Sequence, residues 1–549
     1  MRSRGARDDL DRTCGVDRVG ALDGQEPEDV RRVPIDPHTE RQSRRRQVIG
    51  GESGGTMAFR LSERAMRSMR RFAAAGCAIL GAVLVEPAPG PGGPPGRLGS
   101  SGSVLRRVLP ETPIGALATI TNLEATEVAK LTTTDADELD HLGSSVAIDG
   151  DTLIAGAFRD SHEAAINAGS AYVFVRDLEN DGAWEQVAKL IGSDTASCDY
   201  FGFSVAISGD TAVVGARHND PGGLSEAGAA YIFMRDQGGA DAWGQVAKLT
   251  AGDAEPGDSF GISVAISGDT VVVGSALDDH DGKYHAGSAY VFMRDIGGKD
   301  AWGQVSKLTA ADADERDEFG ASVDIEGDTV VVGAILDNHP GLLGTGSAYI
   351  FMRDLGGANT WGELIKITAS DDQAGDEFGT SVAISGDSLV VGVGGYAGEE
   401  AYVFDRDSGG SGAWGQVAKI TASDAGANDD FGYSVAIDRD TLVVGAAYAG
   451  FSGQPTAGSA YVFLRDQGGP DAWGEAAKLT ASDGENEDRF GVSVTIDGTT
   501  VAIGASGDDH SGVQNPGSLY VFELAHPSIP FFSDGFESGN TSAWSATIP

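Results

Sequence analysis

A Phe-Gly pair recurs along this chain at a nearly fixed spacing, and no other feature restricts its fold as tightly. Its glycines are Gly143 (in a Leu-Gly variant), Gly202, Gly261, Gly320, Gly379, Gly432 and Gly491, at intervals of 59, 59, 59, 59, 53 and 59 residues. Seven copies in register mean a solenoid, an array or a propeller. Each unit holds four strand-like runs, in the third copy "GISVAI", "TVVVGS", "SAYVFM" and "GQVSKLTA". Four short strands per unit of this length read as a propeller blade. "TVVVG" is apolar at every position, as expected of a central strand covered on both faces.

The fourth run carries one lysine per unit, at Lys130, Lys189, Lys248, Lys307, Lys366, Lys419 and Lys478. A lysine on an outermost strand is expected to discourage edge-to-edge pairing. Trp184, Trp243, Trp302, Trp361, Trp414 and Trp473 precede that run and are expected to cap the blade by packing rather than to stack on a ligand. The last unit ends at "SLYVFEL" without a fourth run, while an orphan, "EVAKLTTTDADELDHLG", precedes the first Phe-Gly position. Val128 lies fifteen residues before Gly143, as Val246 lies fifteen before Gly261. The orphan therefore has the register to complete the last blade. The reading is an all-β fold, a seven-bladed β-propeller with four antiparallel strands per blade, closed by its N-terminal strand.

Composition separates the ends from the ring. The first 110 residues are Arg-rich and lack Lys, whereas the remainder sets about twenty Lys/Arg against about seventy Asp/Glu, within a formal net charge of -43. Such a body repels nucleic acid and anionic lipid. From Met57, five arginines precede an apolar run, Phe72 to Val85, too short to span a membrane comfortably and suited to a secretory signal. The expected organisation is an extension or mis-assigned start, disordered, over 1–56, and a signal-like segment over 57–87. A Pro/Gly/Ser linker over 88–123, the propeller over 124–524 and a tail over 525–549 follow, with no stable membrane span in the mature chain. Cys14, Cys77 and Cys198 match no zinc or redox spacing, and no disulfide is expected within the ring.

The repeated motif stands as "FGFSVAI…AVVGA" (Phe201 to Ala216), "FGASVDI…VVVGA" (Phe319 to Ala334) and "FGYSVAI…LVVGA" (Phe431 to Ala446). It resembles the FG-GAP repeat family, in particular its bacterial secreted form, and more distantly the propeller of integrin α subunits. The resemblance spans about 400 residues, Glu124 to Leu524, and implies an extracellular propeller of the binding type. Its structural repeat positions are Phe201, Gly202, Phe260, Gly261, Phe319, Gly320, Phe378, Gly379, Phe431, Gly432, Phe490 and Gly491. Integrin-like repeats often place a calcium loop between the first two strands. Here that connection is only "SGD", "EGD" or "DRD", too short to supply six to eight oxygens. That calcium site is not carried over.

Chemistry is expected on the face formed by the 2–3 loops and the blade-to-blade loops. Each blade-to-blade loop carries aspartates eight and three residues before the Phe-Gly glycine, for example Asp135/Asp140, Asp253/Asp258, Asp312/Asp317 and Asp483/Asp488. Four 2–3 loops hold an Asp-x-His triplet, Asp160/His162, Asp278/His280, Asp337/His339 and Asp508/His510, and the second loop a shifted variant with His218 and Asp220. Three readings stand. The aspartates cap turns; or carboxylates and imidazoles bind Ca²⁺ or another divalent cation, best at "DDHDG" with Asp278, Asp279 and Asp281; or the rim binds a polymer or protein. No cofactor is otherwise indicated. No nucleophile elbow, His-Glu-x-x-His pair or phosphate loop occurs in the sequence. The leading expectation is a secreted or cell-surface, non-enzymatic propeller for ligand binding or adhesion, taking an extracellular protein or polysaccharide. The alternatives are a polysaccharide- or phosphoester-cleaving hydrolase or lyase on the same scaffold, and a purely structural surface protein.

Overall fold

Four strands recur seven times because each unit contains one fully apolar strand that must be covered on both sides. The computed structural model describes residues 123–525, apart from short loop stretches of which 451–455 is the longest. The expected extension, signal-like segment and C-terminal tail lie outside the described residues, as does the linker up to residue 122. Seven four-stranded sheets are present, each an antiparallel meander in chain order except the last. In blade three the strands are Ser263–Ser267, Thr270–Ser275, Ser288–Arg294 and Trp302–Leu308. All six residues of Thr270–Ser275 are buried, and the equivalent strand is buried throughout in six of the seven blades. Hydrophobic clusters lie between blades, not within one: Val291 and Leu308 of blade three share a cluster with Phe319 and Val330 of blade four.

The ring closes as the sequence predicts. Glu124–Leu131 pairs antiparallel with Ser518–Ala525, placing Lys130 opposite Tyr520. The intact blades pair Lys307 with Tyr290 and Lys366 with Tyr349, so the borrowed strand repeats their register. Even the irregularity agrees: pairing shifts between Val291 and Phe292 in blade three, and opposite Val521 and Phe522 in blade seven. The single interval of 53 residues has its cause in blade five, whose 2–3 loop runs only from 394 to 400, against 276 to 287 in blade three.

Glycines set the distance between blades. The glycine near the end of each second strand faces the Phe-Gly glycine of the next blade, in the pairs Gly156/Gly202, Gly215/Gly261, Gly274/Gly320, Gly333/Gly379, Gly392/Gly432, Gly445/Gly491 and Gly504/Gly143. A Cβ on the first member of any pair would fall far inside contact distance of the second member's carbonyl oxygen. The second member is also held at φ of +84° to +98°, a region costly for any other residue. The preceding aromatic ring is buried, and Phe260 meets Tyr290 and Phe292 edge-on at 5.5 and 5.9 Å, an arrangement favoured by ring quadrupoles.

Polar contacts repeat around the same ring. At the 1–2 turns a side chain accepts the backbone N–H of the following blade's turn: Asp149 from Gly209, Ser208 from Gly268, Ser267 from Gly327, Glu326 from Gly386, Ser385 from Arg439, Asp438 from Gly498 and Asp497 from Gly150. The tryptophans pack as expected. Trp184, Trp361 and Trp414 are buried, and Arg294 and Arg465 stack on Trp302 and Trp473 at 5.1 and 4.9 Å. Cys198 is disulfide-bonded, and its partner is not among the described residues, which contain no other cysteine.

The glycine seam yields a paired prediction. Gly274→Ala, which drives a methyl into the Gly320 carbonyl, is expected to cost about 3 kcal/mol or more, because backbone rather than side chains must move. Gly268→Ala, at a turn tip with φ of 56° and nothing within 4 Å, should cost only about 1 kcal/mol. Thermal unfolding of the two variants measures the difference.

Candidate binding site at the axial mouth

The seven pairs of aspartates have two distinct duties. The carboxylate three residues before each glycine accepts the backbone N–H three residues upstream of itself, as Asp140 does from Asp137 at 2.7 Å and Asp258 from Glu255 at 2.7 Å. The same bond recurs at Asp199, Asp317, Asp376, Asp429 and Asp488. The carboxylate eight residues before the glycine instead clamps the blade it enters. Asp253 accepts the Tyr290 hydroxyl at 3.0 Å and the Lys307 ammonium at 2.7 Å. The Tyr-Lys clamp is complete at Asp135, Asp194, Asp312, Asp371, Asp424 and Asp483 as well. Each fourth-strand lysine is thus held in an ion pair on the loop face, a stronger constraint than the edge protection expected of it.

The Asp-x-His triplets divide in the same way. Asp160, Asp278, Asp337 and Asp508 are buried. Asp278 accepts Ser288 at 2.6 Å and Tyr290 at 3.1 Å and pairs with Lys307 at 2.9 Å. Ser170, Ser347 and Ser518 bond Asp160, Asp337 and Asp508 likewise. The imidazoles turn elsewhere. His162 and His510 lie 3.2 and 3.3 Å from the Gly169 and Gly517 carbonyls, while His339 bonds Asp372 at 2.6 Å and Ser347 at 2.9 Å. His280 lies 3.7 Å from Asp281. Asp278 is therefore buried in the clamp, whereas Asp279 is exposed and accepts the His285 N–H at 2.6 Å, and Asp281 is exposed. The three are not gathered as one ligand set, and among the described residues no group of three His, Cys, Asp or Glu is arranged to hold a metal ion. In blade two, Asn219 takes the aspartate's place between Lys248 and Asp199, and Asp220 accepts the Glu226 N–H. Blade six has Ala449 there, which leaves the buried Ser459 hydroxyl without a partner.

What does not repeat lies nearer the axis. The first strands of adjacent blades touch all around the ring, so the residues at their loop-face ends converge on its mouth. The residue before each Phe-Gly position is left-handed in every blade: His141, Tyr200, Ser259, Glu318, Glu377, Asp430 and Arg489, at φ of 54° to 58°. Non-glycine residues there store strain of order 1 kcal/mol each. Their side chains sort by sector, with three carboxyls on blades four, five and six and Arg489, His141 and Tyr200 on blades seven, one and two. The residues following the second strands extend the latter sector. Phe158 stacks on His141 at 5.6 Å and meets Tyr200 and Phe203 edge-on at 5.7 Å. His218 lies 4.9 Å from Tyr200, Arg217 covers Phe203 at 4.2 Å, and Arg489 covers Tyr448 at 5.6 Å. Tyr433 is 44% exposed, and burial, then Tyr448 and Asp430, pushes its hydroxyl up.

Protonation follows the same division. Burial and then Glu377 raise Glu318 to about 7, burial and then Asp430 raise Glu377, and burial with Glu399 and Asp429 raises Asp430 to about 6. Burial lowers His141 and His218 to about 4, keeping both imidazoles neutral at neutral pH. The sequence singled out His218 and Asp220, but not the rest of the mouth. Its signal was present as variation among in-register positions flanking Phe-Gly and following Gly-Ala.

Two outcomes follow. Ala449→Asp should supply the missing acceptor for Ser459, Tyr461 and Lys478 and stabilise the ring by about 1 kcal/mol, seen as a higher unfolding midpoint. Stability should also peak at mildly acidic pH. Burial raises Asp140 to about 7 and Asp258, Asp317 and Asp488 to about 6; the native state binds these protons more tightly, so stability falls as pH rises from about 4 through about 7. The clamp carboxylates Asp253, Asp312 and Asp483 are lowered, with lysine and tyrosine contacts outweighing burial, and their contribution is lost as pH falls below the ordinary value of 3.8. Calorimetric melts between pH 3 and pH 9 (about one-unit steps) check the shape.

The chain resembles a solved periplasmic gluconolactonase of Pseudomonas aeruginosa, PpgL, at 13% identity and a TM-score of 0.41, over 63% of this chain and 87% of that one. No curated protein sequence matches. The FG-GAP repeat matches seven times, over residues 125–174, 184–233, 243–292, 302–351, 361–404, 414–463 and 473–522. Each match after the first starts at or beside the outer strand of one blade and ends within the third strand of the next. The chain belongs to the FG-GAP repeat family.

Proposed function

We propose that this protein is a secreted or cell-surface, non-enzymatic propeller that binds an extracellular protein or polysaccharide through its loop face, with the axial mouth as the contact. One observation carries the reading. Residues that build the ring repeat in nearly every blade, whereas those around the mouth differ from blade to blade and hold strained backbone. A ring that only had to stand would gain nothing from Arg489, His141 and Tyr200 where glycine or asparagine relaxes the turn. The aromatic platforms Tyr433 and Tyr448, 44% and 37% exposed, suit stacking on a sugar face or an apolar side chain.

The test is a peptide and glycan array probed with the full chain and two variants. Tyr433→Ala with Tyr448→Ala should weaken the captured ligand roughly tenfold or more. Ile296→Ser, on an exposed turn of the opposite face, should not change it. Unchanged binding by the mouth variant would refute the proposal, and turnover of the captured ligand would place the protein among the hydrolases instead.

A further inference from the structure

Cys198 ties the ring to a part of the chain that lies outside it. It is disulfide-bonded, and no other described residue is a cysteine. The sequence holds only two more, Cys14 and Cys77, both before the ring. The repeat has no use for a thiol at this place, since the equivalent residues are Leu139, Gly257, Arg316, Gly375, Asn428 and Glu487. The bond therefore fastens a preceding segment to the loop that enters blade two, between Ala183–Leu190 and Phe201–Ser208.

A cavity of about 200 Å³ opens beside that bond, lined by Cys198 with Asp194, Asp199, His218, Asp220 and Glu226. It is smaller than the clefts that take a small molecule whole, and its size suits one long side chain. Its chemistry asks for a cation. Four of these side chains are carboxylates, and of the four only Asp194 has an ion pair among the described residues, to Lys248 at 2.6 Å. Burial and then Arg217 lower His218 to about 4, so the lining imidazole is neutral. His218 also meets the Tyr200 ring at 4.9 Å, which places the cavity at the border of the mouth.

The two cysteines bring different neighbours to it. Arg12 stands two residues before Cys14, whereas no charged residue lies within five positions of Cys77. An extended chain rises about 3.3 Å per residue and turns alternate side chains to one side. Arg12 can thus share the side of Cys14 and reach the cavity from the bond, while Arg71 would lie about 20 Å from Cys77. The flanks of Cys77 are Ala, Gly, Ile and Leu, which gain nothing from an acidic cavity.

We propose that Cys14 is the partner of Cys198 and that Arg12 enters the acidic cavity, so that the N-terminal segment docks on blade two at the edge of the mouth. Closing the bond takes one hydrogen from each thiol. The two electrons pass to a disulfide-bearing oxidant, itself reduced to two thiols, as an oxidising compartment supplies. The docking requires translation from Met1 and survives a cut between segment and ring, because the bond holds both pieces. It does not depend on what the mouth binds.

The test starts from the full chain, purified without reductant, with free thiols alkylated before digestion. Mass spectrometry should find a Cys14–Cys198 peptide that disappears on reduction. A Cys77–Cys198 peptide, an alkylated Cys198 or a bond between two chains would overturn the proposal. Hydrogen exchange over residues 218–226 then reads the docking itself. Arg12→Ala, which keeps the bond, and Cys14→Ser, which removes it, should each speed exchange there roughly threefold or more, with unfolding midpoints confirming an intact ring. Exchange unchanged in both variants would mean a tether without a docked segment and would equally overturn it.

Discussion

The approach of backbone to backbone at the glycine seam is the constraint from which the rest of the molecule follows. Gly274 against Gly320, and six equivalent pairs, bring the second strand of one blade onto the first strand of the next with no side chain between them. Two glycines per blade are needed for different reasons. One must lack a Cβ because a carbonyl occupies its place; the other must also hold a left-handed backbone. The phenylalanine beside that glycine then has only one place to go, the layer between blades, where burial contributes about 2 kcal/mol per ring. Phe-Gly is therefore an instruction for spacing and anchoring, repeated at every interface.

Electrostatics is organised around the same interfaces. The chain carries far more acid than base, and nearly every cation in the ring has an assignment. Lysines of the fourth strands bind two carboxylates each in several blades, as Lys307 does with Asp253 and Asp278. Arginines of the third strands hold turn aspartates. Such pairs do little for stability where exposed, but one partner here is buried, and removing the lysine would strand a carboxylate in the protein interior. Against this background Arg217 and Arg489 stand out because the repeat does not use them.

The fold was legible because its evidence is redundant. Seven copies fix the strand count, the missing fourth strand after Ser518–Ala525 asks for a partner, and the Val128-to-Gly143 spacing identifies it. The candidate site was less legible. Asp-x-His looked like surface chemistry, yet its aspartate sits beneath the loop because Ser, Tyr and Lys from two strands converge on it; that convergence depends on register across strands, which a linear motif does not display. The mouth escaped notice for the opposite reason. Its residues come from positions about 59 apart and differ in type, so against a strong repeat they read as noise. Cys198 could not be paired from spacing at all.

The offset between the sequence unit and the structural blade has a consequence for ancestry. Because each matched unit spans two blades, carrying the outer strand of one and three strands of the next, a tandem duplication or excision of one unit moves a whole cassette without disturbing the terminal strands that clasp each other. Such an event would change the number of blades and the width of the opening while preserving every local joint. A lineage built this way can explore differently sized rings through recombination alone, leaving point substitution free to diversify the few positions around the hub.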